Sequence, residues 1–239
     1  MKNLKTLLVL LFLSTVTSQL YAHALWIETA STGKKGQAHE IKVFYGEYAS
    51  KELEETGKWY SDVKDFTLWL TAPGKEKIKL TTTAGANFFS ASFTPESDGV
   101  YFLTVSHEAK DLGGSTKYEF SSVAAVAVGK INAVNHLLIP NAVKMATNEA
   151  KIFKINTPVQ MKVIVNGQPV ANKPVSVFSP EGWSKDFKTD TNGNLSFTPI
   201  WLGRYVLELS HFEKTSGEHN GKEYSAAWQG STYSFEVSK

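Results

Sequence analysis

Short runs of alternating apolar and polar residues, separated by turn residues, recur along the chain and constrain its fold more than any other feature. Strand side chains alternate between the two faces of a sheet, so such runs predict half-buried β-strands. No long segment has a helical period. The first set of runs covers residues 40–45, 65–70, 77–81, 88–93, 100–105 and 121–128. The second set covers residues 159–165, 175–178, 187–189, 195–197, 204–210 and 233–237.

The two sets predict an all-β protein of two tandem β-sandwich domains, at residues 23–130 and 155–239. Residues 131–154 are less patterned and contain a proline, so they are expected to form a connector, with one short helix near 142–150. A second helical insertion is expected at 51–59. Asn-Gly pairs at 166–167 and 192–193 predict tight hairpins, because both residue types tolerate a positive φ.

The N-terminus has the layout of a secretory signal at residues 1–22. Lys2 and Lys5 precede an apolar run at 7–13, and a polar stretch then leads to small residues. The apolar run is too short to span a bilayer, so no membrane insertion of the mature chain is expected. The mature protein is predicted to be periplasmic or secreted. Cleavage after Ala22 makes His23 the first residue, whereas cleavage after Ala24 removes it.

An N-terminal His23 would offer two nitrogen ligands, its α-amine and its imidazole, which can chelate one divalent transition metal. Metal binding would displace the proton that the amine carries. The sequence contains no cysteine, so disulfides, thiolate ligands and a lipid anchor at the cleavage site are excluded. Any metal site must therefore use nitrogen and oxygen ligands, and these suit nickel, cobalt, copper or zinc.

The charge of the mature chain is balanced. Residues 1–22 contain two lysines and no acid, so their removal leaves the remaining Lys and Arg equal in number to the Asp and Glu. Without a positive field or a clustered basic stripe, nucleic acid is not an expected partner. No nucleophile elbow, phosphate loop, dinucleotide fingerprint or His-Glu-x-x-His motif is present, so the chain is not predicted to be an enzyme.

The two halves also repeat in sequence. Residues 92–107 and 196–211 share nine of sixteen positions without a gap, including a Gly-x-Tyr and a terminal Ser-His. The tyrosines resemble tyrosine corners, a feature of many sandwiches. The period of two places His107 and His211 at the end of core-facing rows. Each could be a metal ligand that completes the shell of His23, or a histidine whose ring nitrogen is bonded to backbone.

The chain resembles the DUF4198 family of exported proteins, which is related to periplasmic components of cobalt and nickel uptake systems. The resemblance rests on residues 22–28 after the signal, Gly46-Glu47, and the second-half runs 166–170, 180–183, 189–193 and 203–205. It spans essentially the whole mature chain. It implies Ig-like or transthyretin-like sandwiches and transition-metal handling, with nickel or cobalt the usual metal. By position, His23 is carried over as a ligand and Glu28 as a neighbour.

These observations together predict a metal-binding protein that coordinates nickel or cobalt through His23, with His107 or His211, and serves a membrane metal-uptake transporter. Two alternatives stay open. A copper-dependent oxidase would use the same N-terminal chelate for redox chemistry. A surface interaction or carbohydrate-binding module would instead present aromatic residues lined up on one exposed face, with the histidines apart from one another.

Overall fold

A computed structural model describes residues 23–131, 138–147 and 153–239. The predicted signal at 1–22, part of the connector and His136 lie outside these ranges. The predicted all-β sandwich class is confirmed. The first ten strands are β1 Ala24–Thr29, β2 Thr32–Gly33, β3 His39–Glu47, β4 Glu52–Leu53, β5 Trp69–Thr71, β6 Ile78–Lys79, β7 Thr83–Ala84, β8 Phe89–Phe93, β9 Gly99–Glu108 and β10 Thr116–Val128. The next strands are β11 Val143–Ala146, β12 Phe153–Lys154, β13 Val159–Val165, β14 Gln168–Pro169, β15 Pro174–Phe178, β16 Ser184–Lys188, β17 Asn194–Phe197, β18 Gly203–Glu213, β19 Gly217–His219, β20 Lys222–Tyr224 and β21 Ala226–Ser238.

A ten-stranded sheet runs through both halves of the sequence. Its order is β16-β15-β18-β21-β10-β9-β5-β6, with β12 beside β21 and β2 beside β10. The two halves join where β10 and β21 pair in parallel, from Thr116 opposite Ala226 to Ala124 opposite Ser234. The predicted boundary at 131–154 therefore does not interrupt the sheet.

Two smaller sheets cover opposite faces of this central sheet. The sheet of β1, β3, β8 and β7, with β4 at its edge, contributes Leu25, Ile27 and Val43 to a core shared with Leu103 and Ala124 of the central sheet. The sheet of β11, β13, β14 and β17 forms the second core on the other face. Since side chains alternate along each central strand, both faces are apolar and the architecture has three layers.

The repeated tyrosines both form corners. The Tyr101 hydroxyl donates to the Ser97 carbonyl (2.9 Å) and accepts from the Ser97 and Glu96 amides (3.0 and 3.2 Å). The Tyr205 hydroxyl accepts from the Trp201 amide at 3.2 Å. Their rings lie in different cores, Tyr101 with the N-terminal half and Tyr205 with the C-terminal half. The repeated strands β9 and β18 thus use opposite faces of one sheet.

Local predictions met mixed outcomes. The helix expected near 142–150 is wrong over Val143–Ala146, which forms β11, because all four residues are buried and pair with β13. The segment 51–59 contains β4 and a single 3-10 turn, Thr56–Lys58, instead of a longer helix. A second 3-10 turn is Val63–Asp65. No helix in the described ranges is long and apolar enough to cross a membrane.

The two predicted Asn-Gly hairpins differ. Asn166 and Gly167 both have positive φ (49° and 80°) and join β13 to β14 as a tight hairpin. Gly193 also has a positive φ of 76°, but this turn links β16 to β17, which belong to different sheets. The second prediction is therefore right about the turn and wrong about the hairpin, since a turn motif does not determine which strands pair.

Candidate functional site: His23 and the adjacent aromatic cavity

The first strand is anchored along both edges, and this fixes the position of His23. On one edge, β1 pairs with β3, with Ala24 opposite Gly46. On the other edge, hydroxyl groups of the central sheet replace a neighbouring strand. Ser122 accepts from the Ile27 amide at 3.1 Å, Thr232 donates to the Leu25 carbonyl at 2.8 Å, and Ser234 donates to the Ile27 carbonyl.

The imidazole of His23 lies between two carboxylates. Its Nε2 is 3.1 Å from Oε1 of Glu54, and its Nδ1 is 3.5 Å from Oε1 of Glu47. Because a carboxylate accepts hydrogen bonds, Nε2 donates to Glu54, and in the neutral ring Nδ1 then carries the lone pair. The ring also lies against Tyr45, with centroids 5.3 Å apart. The side chain is 37% exposed, so the ring is partly open to solvent.

Glu47 and the nearby Glu208 are two half-buried acids whose charges interact. Oε1 of Glu47 is buried and makes no hydrogen bond within the described residues. The pKa of Glu47 is raised overall, mainly by burial. The charge of His23 opposes this effect, and the charge of Glu52 adds to it. Burial also raises the pKa of Glu208 to about 7, with a contribution from the charge of Glu47. The charge of Glu47 thus adds to burial in favouring a proton on Glu208.

His23 also forms part of the wall of a cavity of about 420 Å³. Three buried rings, those of Tyr45, Phe120 and Trp228, line it together with the half-buried rings of Tyr60 and Tyr118. The lining is completed by Glu54, Lys58 and Gly113. Aromatic walls with a few polar groups are typical of cavities that bind small molecules.

His107 lies at the end of β9 in an ion pair with Asp62. Its Nε2 is 3.0 Å from Oδ1 of Asp62, and the same oxygen accepts from the Lys110 amide at 2.7 Å. The pKa of Asp62 is lowered, because these hydrogen bonds and the charge of His107 outweigh burial, the largest single effect, which raises it. The contacts tie the loop before β5 to the end of β9, which is a structural role.

His211 lies on the other side of the central sheet from His107. His211 is opposite Gln229 of β21, which is itself opposite Glu119 of β10. Continuing the β9–β10 register places Glu119 opposite Glu108. His107, one residue earlier, therefore points to the other face. Three strand spacings separate the two histidines, roughly 14 Å.

The surroundings of His211 also differ from those of His23. Nζ of Lys173 lies 3.4 Å from its Nδ1, and Oε1 of Glu213 lies 3.8 Å from its Nε2. Burial and the charge of Lys173 lower the pKa of His211. A lysine ammonium beside the ring disfavours a divalent cation there.

The described residues thus do not bring His23, His107 and His211 into one coordination shell, and they contain no group of three or more His, Asp or Glu side chains arranged to hold a metal ion. Two other histidines have structural contacts. His39 is buried with Nε2 2.8 Å from the Thr29 hydroxyl, and His219 donates to the Ala109 carbonyl. Glu28, the neighbour named by the resemblance, accepts from Trp26 Nε1 at 3.0 Å.

The role of Glu54 beside His23 and the aromatic cavity were not predicted from the sequence. Glu54 lies in the segment predicted as a helical insertion, where an isolated acid resembles a surface charge. The aromatic residues of the cavity come from β3, the loop before β5, β10 and β21. The aromatic residues Tyr118 and Phe120 were the available signal for the cavity in the sequence. Strand alternation, however, does not reveal which distant residues lie beside them.

Comparisons with known proteins give little help with this site. No protein-family model matches the chain, and no curated protein matches it either. Among solved structures, the chain is similar to Salmonella alpha-2-macroglobulin reacted with methylamine, at 10% identity and a TM-score of 0.30. That match covers 90% of this chain and 15% of the macroglobulin. A TM-score this low does not establish a shared fold.

Proposed function

We propose that the exported chain is a periplasmic transition-metal binding protein whose cargo is nickel or cobalt and which passes that metal to a membrane uptake transporter. The metal would be held by coordination at His23, and no catalytic step is involved. The single observation that carries the proposal is the position of the His23 Nδ1 beside a buried, unbonded carboxylate oxygen of Glu47.

The donor set at this position suits a divalent transition metal. After cleavage at Ala22, His23 would supply its α-amine and Nδ1, and these two nitrogens can close a six-membered chelate ring. Glu47 would add an anionic oxygen, giving the nitrogen and oxygen combination that nickel and cobalt accept. Glu54 bonds the other ring nitrogen, which is how outer carboxylates orient metal-binding histidines.

The local charge supports the same conclusion. Glu47 and Glu54 lie within ion-pair distance of the His23 ring, and burial disfavours the charged form of Glu47. A divalent cation bound there would offset that burial cost. Copper binds most nitrogen and oxygen sites more tightly than nickel or cobalt. The choice of nickel or cobalt, and the transporter, therefore rest on the family resemblance described above.

The proposal is tested by mass spectrometry of the exported protein, followed by calorimetric titration of that form with nickel, cobalt, copper and zinc. We expect an N-terminal His23 and one high-affinity metal per chain, with His23→Ala binding at least tenfold more weakly. His107→Ala and His211→Ala serve as controls and should retain full affinity. An N-terminal Leu25, or a His23→Ala variant with unchanged affinity, would overturn the proposal.

A further inference from the structure

The aromatic cavity beside His23 has walls that are fixed before any ligand arrives. The ring of Tyr118 lies directly over Gly113, where an added Cβ would come within 2.3 Å of the ring. The ring of Trp228 lies in the same way over Gly230, and its Nε1 donates to the Ser210 hydroxyl at 2.6 Å. The Tyr60 hydroxyl donates to the Asp111 carbonyl at 3.0 Å. Preformed walls reduce the entropic cost of binding.

Apart from His23, the cavity is lined by one acidic and one basic side chain. Glu54 contributes one carboxylate and Lys58 contributes one ammonium, which is also 3.1 Å from Glu55. Leaving the His23 end of the cavity aside, this pair favours neither a cation nor an anion. A purely apolar ligand would take water away from Glu54 and Lys58 without replacing its hydrogen bonds, and that is costly. A suitable ligand is neutral, with apolar faces and hydrogen-bonding edges.

We propose that this cavity is a binding site for a neutral sugar ring. A pyranose presents flat C–H faces that pack against Tyr118 and Trp228, and its hydroxyl groups can reach Glu54, Lys58 and the tyrosine hydroxyls. The volume of about 420 Å³ lies within the range of about 300–1,000 Å³ that is usual for small-molecule sites. These contacts do not require a metal, but they share Glu54 with the proposed metal site, where Glu54 bonds His23.

A second aromatic cleft provides a useful comparison. It lies between the halves, is lined by Trp26, Tyr48, Phe178 and Trp183, and encloses about 200 Å³. Its carboxylate, that of Glu28, already accepts from Trp26 Nε1. The smaller volume makes it the weaker candidate. The exposed Trp183 nevertheless offers a matched control for an aromatic side chain outside the proposed site.

The test is a titration of the metal-free mature protein with glucose, mannose, galactose and N-acetylglucosamine, and with their soluble oligosaccharides and insoluble polymers. Binding is measured by NMR chemical-shift changes and by calorimetry, and polymer binding by sedimentation. We expect saturable binding of at least one sugar. The free-sugar and polymer arms distinguish a soluble ligand from a surface glycan.

Variants locate the site. Tyr118→Ala and Lys58→Met should each weaken sugar binding at least tenfold, whereas Trp183→Ala should leave it unchanged. Lys58 is exposed, so the second variant keeps the inference testable if Tyr118→Ala does not fold. Absence of binding by every sugar tested, or loss of binding only in Trp183→Ala, would overturn the inference. If sugar binding persists in His23→Ala while metal binding is lost, the failure of one proposal can be distinguished from the failure of the other.

Discussion

Nδ1 of His23 and Oε1 of Glu47 lie 3.5 Å apart, and the Glu47 oxygen is buried without a hydrogen-bond donor among the described residues. A buried acceptor that lacks a hydrogen bond destabilises a protein unless a binding partner compensates for it. Because β1 is anchored, His23 is held beside Glu47. This contact links the first residue of the proposed mature chain to the proposed metal site.

Glu47→Gln should reduce nickel affinity at least about tenfold, because the amide cannot supply an anionic oxygen. Isothermal titration of the mature chain measures the change. Glu52→Gln is a matched control, since Glu52 lies opposite Glu47 in the strand register and is exposed. Equal losses in the two variants would indicate a general electrostatic effect and not a ligand role for Glu47.

Gly113→Ala should lower the free energy of unfolding by about 1–3 kcal/mol, because the new methyl group would displace the ring of Tyr118. Gly57→Ala provides the control, since nothing lies within 4 Å of a Cβ there and the expected change is within about 0.5 kcal/mol. Urea unfolding measures both values. Similar stability of the two variants would contradict the described packing of the cavity wall.

The two tyrosine corners should differ in their contribution to stability. Tyr101→Phe removes a hydroxyl that bonds three backbone groups, whereas Tyr205→Phe removes one bond to the Trp201 amide. The expected losses are about 1–3 kcal/mol for Tyr101→Phe and about 0.5–1.5 kcal/mol for Tyr205→Phe. Thermal and urea unfolding provide the values. A larger loss for Tyr205→Phe would contradict this ranking.

His39 should make the unfolding free energy depend on pH. Burial lowers the pKa of His39 below its ordinary value of 6.5, and a hydrogen bond to the Ala30 backbone partly offsets this. The unfolded chain then binds more protons than the folded chain, so stability is present above pH 6.5 and is lost as the pH falls through the lower folded pKa. The His39→Gln variant lacks this pH-dependent contribution to stability. Its stability relative to wild type should rise steadily from pH 7.5 to pH 5, and a constant difference would contradict the assignment.

The sequence predicts individual strands better than their partners. The alternating runs locate most strands, and the repeat predicts both tyrosine corners. The parallel pairing of β10 with β21 is not predictable in this way, because period-two patterning shows which side chains share a face but not which strand lies alongside. For the same reason, the repeat could not show that His107 and His211 point to opposite faces. The region around His23 depends on Glu54 and on rings from four distant segments, none of which has a distinctive spacing.

The most direct test compares nickel binding by two forms of the chain, one beginning at His23 and one that retains Ala22. The extra residue converts the α-amine into an amide and leaves every side chain in place. We expect one tight site in the form that begins at His23, and an affinity lower by on the order of 100-fold in the extended form. Equal nickel affinity in the two forms would contradict coordination by the α-amine of His23.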